Sequence, residues 1–318
     1  ILKTVITMAM DASEISKTTA ILACTSMTLL YVAILYAPTF LLRLPPPDSF
    51  KSFMIRRFIC AAVSSIVSLV LCAFILPVRR WDSLNLLGVY GIRLDHIWQA
   101  VIIPLSLTSL MYAGSLVLKS LLLLDSWKDQ RNHGDRISCD SVKDIGGKSI
   151  IWMQSVFSNI MVWRNFIVAP VTEELVFRAC MIPLLLCGGL TTYNAVFLCP
   201  VFFSLAHLNH LLDTLQNRSL LQASIVVGFQ LGYTIIFGWY ASFLFIRTGH
   251  LTAPIIAHMF CNFMGLPVIY SQRTGMITVA SIAGLLGFVW LLFPLTYPYL
   301  YNYRIDKCAC WHRYCTWE

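Results

Sequence analysis

Two adjacent glutamates lie inside one of the most apolar parts of the chain. Only four glutamates occur among the 318 residues, and Glu173 and Glu174 are the two that lie away from the ends. A carboxylate inside a membrane helix costs about 2.5–3.5 kcal/mol on insertion scales, so such a residue indicates a functional site. Arg178 follows Glu174 by four residues, a spacing that favours an ion pair on one helix face. That pair leaves Glu173 available for chemistry; the alternative is a charged cluster that only anchors a helix end.

Histidine and asparagine side chains follow in two later apolar segments. His207 and His210 are three residues apart and share one face of the predicted helix. His258 and Asn262 are four residues apart, on a helix that Pro254 opens. These segments therefore combine imidazole and amide groups with the internal glutamates.

This set of groups favours hydrolysis by an activated water molecule. A carboxylate and a neutral imidazole on adjoining helices can hold a water and remove its proton. Histidine and asparagine on a facing helix can donate hydrogen bonds to an oxyanion. Neither GxSxG, HExxH nor GxxxxGK[ST] occurs in the sequence, which argues against a serine nucleophile, a zinc-protease helix and a phosphate loop.

A zinc site is the alternative for the same residues. His207, His210 or His258 could bind zinc together with a glutamate. The spacing matches no zinc-protease helix, however, and Asn262 is a poor zinc ligand but a good hydrogen-bond donor. We therefore expect no metal cofactor and keep zinc as the alternative.

The composition predicts that membrane helices position these groups. Hydrophobic residues make up 58% of the chain and charged residues only 12%, where soluble domains have about a quarter. Uncharged stretches at 21–42, 58–78 and 97–118 are long enough to cross a hydrocarbon core of about 30 Å. Backbone groups within a membrane must bond internally, so we predict an all-α polytopic membrane helix bundle with about eight transmembrane helices. The net charge of +8 comes from residues that flank apolar runs, so we expect lipid and not nucleic acid as a partner.

A polar stretch at residues 125–148 divides the chain in two. We predict N-terminal transmembrane helices and a polar loop at 1–148, a catalytic membrane helix bundle at 149–298 and a C-terminal tail at 299–318. The basic residues between the spans predict that the first and third connections face the cytosol. Apolar runs and their Gly and Pro boundaries predict the later helices at 149–167, 171–188, 193–212, 221–247, 251–270 and 276–297.

Three motifs in this order resemble those of the type II CAAX prenyl endopeptidases, the Ras and a-factor converting enzymes. Residues 173–178 match EExxxR, residues 203–207 match FxxxH and residues 258–262 match HxxxN. The resemblance covers roughly residues 150–270. It implies a glutamate-type intramembrane peptidase of the endoplasmic reticulum, which removes the last three residues from proteins already prenylated on a CAAX cysteine.

The resemblance also implies a role for each motif residue. Glu173 and His207 would activate the attacking water, and His258 and Asn262 would form the oxyanion hole. Three further residues would support or shape the site: Glu174, Arg178 and Phe203. Implied substrates are prenylated CAAX C-termini such as those of Ras-like small GTPases. Arg247 or Arg273 could receive the carboxylate of the released tripeptide, but the favoured role for each is to anchor a helix end.

Two other classes of function compete with the protease. A non-proteolytic membrane scaffold of the same superfamily is the first, and the loss of any of the four catalytic candidates would favour it. A transporter is the second, because intramembrane Glu and His also form proton relays. Internal repeats would support a transporter, and the sequence shows none.

Overall fold

The chain folds as a bundle of helices. The computed structural model describes residues 15–76, 83–132, 157–208, 214–215, 219–270 and 275–301. Every regular element among these residues is a helix, which confirms the predicted all-α class.

The first two helices are long, apolar and capped by serine. Helix α1 spans Lys17–Phe40 and begins after Ser16, whose hydroxyl accepts a hydrogen bond from a first-turn N–H. Helix α2 spans Phe50–Ile75, and Ser49 caps it in the same way. The structure thus confirms the first two predicted spans and places the start of each several residues earlier.

The third predicted span, at 97–118, is bent rather than straight. A short helix α3 (Ser83–Val89) precedes α4 (Ile97–Met111) and α5 (Ala113–Asn132), and α4 and α5 meet at an angle of 80°. Tyr112 leaves the helical conformation at the bend, where its hydroxyl bonds to Tyr233 and to a backbone carbonyl at 2.8 Å. The sequence did not predict this bend, because a side-chain hydrogen bond to a distant helix has no local sequence signal.

Helix α6 runs through residues 160–187 without a break. The sequence predicts separate helices at 149–167 and 171–188. Pro170, which lacks a backbone N–H, lies between these two ranges. Instead, a π segment, Arg164–Val168, ends two residues before Pro170, and its wider turn accommodates the proline ring. A second π segment, Leu175–Cys180, follows Glu174. The predicted break was therefore wrong, and residues 149–156 lie outside the described part of the chain.

Four more helices complete the described bundle. They are α7 (Thr192–Ala206), α8 (Leu220–Thr248), α9 (Thr252–Met264) and α10 (Gly275–Leu295). Helices α7 and α9 end earlier than predicted, and a short 3₁₀ turn (Pro298–Leu300) follows α10. Gly249 stops α8 in the left-handed conformation, which lets α9 fold back against it.

The length and apolar composition of its helices identify this chain as a multi-pass membrane protein. Helices α1, α2, α8 and α10 are long and apolar enough to span a bilayer, and the bent pair α4–α5 passes the same test together. Large apolar side chains such as Trp98, Phe229 and Trp290 are more than two-thirds exposed, as lipid-facing residues are. The described residues thus contain four or five spans, and the count of about eight stays a prediction.

The main hydrophobic core surrounds the second half of α6. Residues 176–187 of α6 are all buried, against side chains of α1, α2, α7 and α8. Helices on both sides of the predicted boundary at residue 148 therefore share one core. The division of the chain into an N-terminal part and a catalytic part stays a prediction.

Candidate active site

Glu174 is the buried centre of a polar cluster. Its Oε1 accepts hydrogen bonds from Arg178 Nη1 at 3.1 Å and from His258 Nδ1 at 2.8 Å. Its Oε2 lies 3.1 Å from Arg178 Nε, an electrostatic contact that is too poorly aligned for a hydrogen bond. Neither side chain of the Glu174–Arg178 pair is exposed. The ion pair predicted from the four-residue spacing is confirmed, and it also binds His258.

Aromatic rings cover the charge of Arg178. Its guanidinium carbon lies 4.5 Å from the ring centre of Phe203 and 5.9 Å from that of Phe237. Such cation–π contacts partly replace the hydration that a buried guanidinium loses. Phe203 also packs edge-on against His207, and Phe237 lies 4.7 Å from the His258 ring. The sequence motifs indicated Phe203 but not Phe237, which is one aromatic residue among many on α8.

Buried thiols satisfy the backbone around Arg178. The π segment Leu175–Cys180 widens the turn and changes which carbonyls find partners within the helix. A buried carbonyl without a donor costs about 1–3 kcal/mol. Three free cysteines from three different helices donate to carbonyls of this region: Cys24 to Met181, Cys72 to Cys180 and Cys199 to Phe177. The cysteines thus help to hold the turn that carries Arg178.

Glu173 differs from its neighbour because it reaches open space. Its side chain is 15% exposed, and its Oε2 lies 3.7 Å from His258 Nε2. His258 therefore lies between the two carboxylates, with Nδ1 on Glu174 and Nε2 towards Glu173. Because a carboxylate only accepts, His258 Nδ1 bears the proton of the bond to Glu174.

His207 lies at the end of α7 and shares a cavity with Glu173. Its Nδ1 is 2.8 Å from the Phe203 carbonyl, which can only accept, so Nδ1 donates. In the neutral imidazole, Nε2 is then the basic nitrogen. The cavity is open to its surroundings, and the empty space of about 640 Å³ at this position includes the open region outside it. A carboxylate and a basic imidazole nitrogen in one cavity are the groups that water activation requires.

Asn262 occupies a position that the first π segment explains. In the π register the N–H of residue 170 would bond to the carbonyl of Asn165, but Pro170 has no N–H. Asn262 Nδ2 donates to this carbonyl instead, at 2.8 Å. Asn262 thus lies one helical turn from His258 but outside the cavity wall, and one of its two amide protons is in use.

The cavity walls come from helices that the sequence did not connect to the site. Helices α1 and α2 form one wall, with Tyr31 and Arg57, and α6 forms the other, with Arg164 and Thr172. The Tyr31 hydroxyl lies 3.2 Å from the Thr172 hydroxyl across the two walls. These residues are more than a hundred positions apart in places and share no periodic pattern, so sequence spacing could not have found them.

Six of the seven motif residues are therefore in direct contact or line the same cavity, whereas Asn262 bonds to the Asn165 carbonyl and does not line the cavity. Two other sequence predictions fare differently. Arg247 contacts the end of α10 through Thr296 and the Phe293 carbonyl, which agrees with the helix-end anchoring role that the sequence favours for it. Arg273 and His210 lie outside the described residues. Among the residues that are described, no group of three His, Cys, Asp or Glu side chains is close enough to hold a metal ion.

The fold and the site together define a multi-pass, all-helical membrane protein with a carboxylate–imidazole centre inside its bundle. Residues 155–264 match the family model described as type II CAAX prenyl endopeptidase Rce1-like. The chain is 57% identical over 313 residues to a protein of Arabidopsis thaliana named CAAX prenyl protease 2, which covers 98% of this chain and 100% of the relative. The Homo sapiens protein of that name is 34% identical over 303 residues, which cover 89% of this chain and 83% of the relative.

The chain therefore belongs to the type II CAAX prenyl endopeptidase family, a family of proteases. This confirms the resemblance that the three motifs indicate. No solved structure matches the chain significantly.

Proposed function

We propose that this chain is an intramembrane endopeptidase of the endoplasmic reticulum, and that it removes the C-terminal tripeptide from prenylated CAAX proteins such as Ras-like small GTPases. One observation supports this above the others. Glu173 is a partly exposed carboxylate that lies 3.7 Å from His258 and lines one cavity with His207. The names of the similar proteins support the choice of substrate.

Glu173 and His207 activate the attacking water in this mechanism. The water is held between the Glu173 carboxylate and His207 Nε2, and Glu173 takes one of its protons as the oxygen attacks the scissile carbonyl. The new C–O bond gives a tetrahedral intermediate. When the intermediate collapses, the C–N bond breaks and the proton on Glu173 passes to the leaving amine. The products are a prenylcysteine carboxylate and a free tripeptide.

His258 and Asn262 stabilise the oxyanion of that intermediate. His258 donates from Nδ1 to Glu174, so in this mechanism it is the imidazolium form that donates a second hydrogen bond, from Nε2, towards the Glu173 side. Asn262 contributes the amide proton that the Asn165 carbonyl does not use. Donors of this kind contribute about 10²–10³ in kcat where they have been removed from other hydrolases. Glu174 and Arg178 position His258, and no metal takes part.

The prenyl chain delivers the peptide to the cavity. Each CH₂ group that enters lipid contributes about 0.8 kcal/mol, so a prenylated C-terminus stays at the membrane where this bundle lies. Apolar residues from α1 and α2, among them Leu35 and Phe58, line the cavity. A free peptide lacks this membrane anchor and reaches the site far less often.

The test is cleavage of a farnesylated CAAX peptide and its unprenylated twin by purified protein. Wild type is expected to release the tripeptide from the farnesylated peptide only, with or without a zinc chelator. Glu173→Ala is expected to lose activity by at least about a thousandfold while it keeps the wild-type melting temperature. Asp48→Asn, which alters an exposed carboxyl group that does not line the cavity, is the matched control and should retain full activity.

The other outcomes distinguish the competing functions. Activity that a chelator abolishes and zinc restores would keep the substrate but replace the proposed mechanism with a metal-dependent one. A folded wild type that cleaves no prenylated peptide would remove the enzyme and leave the membrane scaffold as the better proposal.

A further inference from the structure

We infer that Arg57 and Arg164 bind the C-terminal carboxylate of the peptide substrate. This inference rests on the proposed function and adds the part of the site that recognises the leaving tripeptide. Removal of a terminal tripeptide differs from cleavage inside a chain in one chemical respect, because the released segment ends in a free carboxylate. A site that requires this end needs a cation at a fixed distance from the reacting carbonyl.

Both arginines line the cavity that holds Glu173 and His207, and both are half-buried. Within the described residues neither forms an ion pair, and the Arg57 guanidinium carbon lies 5.4 Å from the ring centre of Phe53. This contrasts with Arg178, whose charge Glu174 neutralises. Two half-buried guanidinium groups without a carboxylate partner favour an anionic ligand.

The first π segment explains why Arg164 lines the same cavity as Glu173. The two residues are nine positions apart. In a regular α-helix nine residues rotate by about two and a half turns, so the two side chains would lie on opposite faces. The π segment Arg164–Val168 takes up one extra residue and reduces that rotation by about 100°. The wider turn therefore brings Arg164 towards the side of the helix that carries Glu173.

The separation along α6 suits a tripeptide. Nine helical residues rise about 13 Å, and three extended residues span about 10–11 Å. A substrate carbonyl at Glu173 would thus place the terminal carboxylate within reach of the flexible Arg164 side chain. Glu173 itself repels a carboxylate, which also favours binding at the far end of the cavity. The distance between Glu173 and Arg164 then sets how many residues are released.

Arg57 approaches from the opposite wall. It shares one face of α2 with Met54, Phe58 and Ala61, at spacings of three and four residues, and all four line the cavity. The apolar neighbours suit the aliphatic side chains of a CAAX peptide, and the guanidinium group suits its carboxylate. Arg57 and Arg164 can therefore hold the carboxylate between them, each through a planar fork of N–H donors.

The test compares two farnesylated peptides that differ only at the C-terminus, a free carboxylate in one and a carboxamide in the other. Wild type is expected to prefer the carboxylate by about tenfold to a hundredfold in kcat/KM. Arg57→Gln and Arg164→Gln are expected to raise KM for the carboxylate peptide by about tenfold and to leave its kcat within about threefold. Each variant should lose most of the preference for the carboxylate over the carboxamide peptide, and a wild-type melting temperature in detergent shows that each variant is folded.

Arg56→Gln is the matched control. Arg56 precedes Arg57 directly, but its Nη1 donates to the Pro45 carbonyl at 2.7 Å and it does not line the cavity. This variant should keep the wild-type preference for the carboxylate. Arg164→Lys, which keeps the charge but loses the planar fork, is expected to recover only part of the preference.

The inference and the proposed function fail in different ways. A wild type that cleaves neither peptide overturns the proposed function and the inference with it. A wild type that cleaves both peptides equally, or arginine variants that keep the full preference for the carboxylate, would overturn the inference alone.

Discussion

Glu173 and Glu174 are sequence neighbours with opposite surroundings. Glu174 is fully buried and bonds to Arg178 and His258, whereas Glu173 is partly exposed and lines the cavity. The rotation of about 100° between consecutive helical residues produces this difference. One carboxylate therefore belongs to the support of the site and the other to its chemistry.

A double-mutant cycle tests the supporting role of Glu174 and Arg178. Arg178→Met leaves a buried carboxylate without its main partner, and Glu174→Gln leaves a buried guanidinium; each is expected to destabilise the protein by about 3–5 kcal/mol. The double variant Glu174→Gln/Arg178→Met should be more stable than either single variant. Chemical denaturation in detergent measures these stabilities. The pairing would be contradicted if the double variant lost as much stability as the two single variants lose together.

Asn262 is expected to contribute to both stability and catalysis. Asn262→Ala leaves the Asn165 carbonyl without its donor, which should cost about 1–3 kcal/mol, and removes an oxyanion donor, which should lower kcat by about 10²-fold. Pro170→Ala restores a backbone N–H at residue 170, which can donate to the Asn165 carbonyl in the π register. The variant Asn262→Ala/Pro170→Ala should therefore regain stability but not kcat. If the double variant regained both stability and kcat, Asn262 would affect the reaction only by bonding to the Asn165 carbonyl, and not as an oxyanion donor.

At the scale of the elements, close approach of helices depends on small residues. Helix α10 crosses the bend between α4 and α5 at Gly284, where an added Cβ would collide with the Leu110 carbonyl oxygen and lie 2.6 Å from the Ala113 Cβ. Small residues permit this kind of backbone contact between membrane helices. The bend and α10 therefore depend on each other.

Gly284→Ala is expected to destabilise the protein by about 1–3 kcal/mol, because backbone atoms must shift to admit the methyl group. Gly287→Ala is the matched control on the same helix, since its Cβ would lie 3.9 Å from a flexible part of Leu110. The control should stay within about 0.5 kcal/mol of wild type. Thermal unfolding in detergent measures both variants, and equal melting temperatures would argue against the close crossing.

Sequence spacing predicted those features of this fold that repeat along one helix. The pairs Glu174–Arg178 and His258–Asn262 lie on single helix faces, so a spacing of four residues was sufficient. The π segments and the bend at Tyr112 depend on contacts with other helices, as the hydrogen bond from Asn262 to Asn165 illustrates. The cavity was also missed, because its walls join α1 and α2 to α6, and such long-range packing has no periodic pattern.

At the scale of the whole molecule, three distant parts of the chain meet at one corner, formed by Gly91, by His250 and Leu251, and by Tyr301. His250 lies in the turn between α8 and α9, and its Nε2 donates to the carbonyl of Tyr301 beyond α10. The adjacent Leu251 N–H donates to the Gly91 carbonyl at 2.8 Å. Gly91 has a positive φ of 68°, which favours glycine there. This corner therefore connects the α3–α4 loop to the last two helices.

The corner makes stability depend on pH. Burial lowers the pKa of His250 below its usual value of about 6.5, while the Tyr301 carbonyl and Asp95 act in the opposite direction and Arg93 and His96 lower the pKa further. The folded state thus binds a proton less readily than the unfolded state. Its stability is complete above about pH 6.5 and falls as the pH drops below that value, by at most about 1.4 kcal/mol per pH unit.

His250→Gln separates this contribution from those of other groups. Glutamine keeps an N–H donor for the Tyr301 carbonyl but does not titrate. Between pH 7.5 and 5.5 the melting temperature of wild type should fall further than that of the variant. Identical pH dependence in the two proteins would contradict a buried neutral histidine at this corner.

The shared core of α1, α2 and α6 has a consequence for the order in which the protein is made. Synthesis begins at the N-terminus, so α1 and α2 enter the membrane well before α6 exists. The thiols of Cys24 and Cys72, whose carbonyl partners are in α6, have no such acceptor during that interval. The walls of the cavity cannot meet before residues 164–173 of α6 exist, and the cavity is complete only when His207 at the end of α7 has also been made. Assembly of the site is therefore a late event in biogenesis, and nascent chains that end before α6 cannot cleave a substrate.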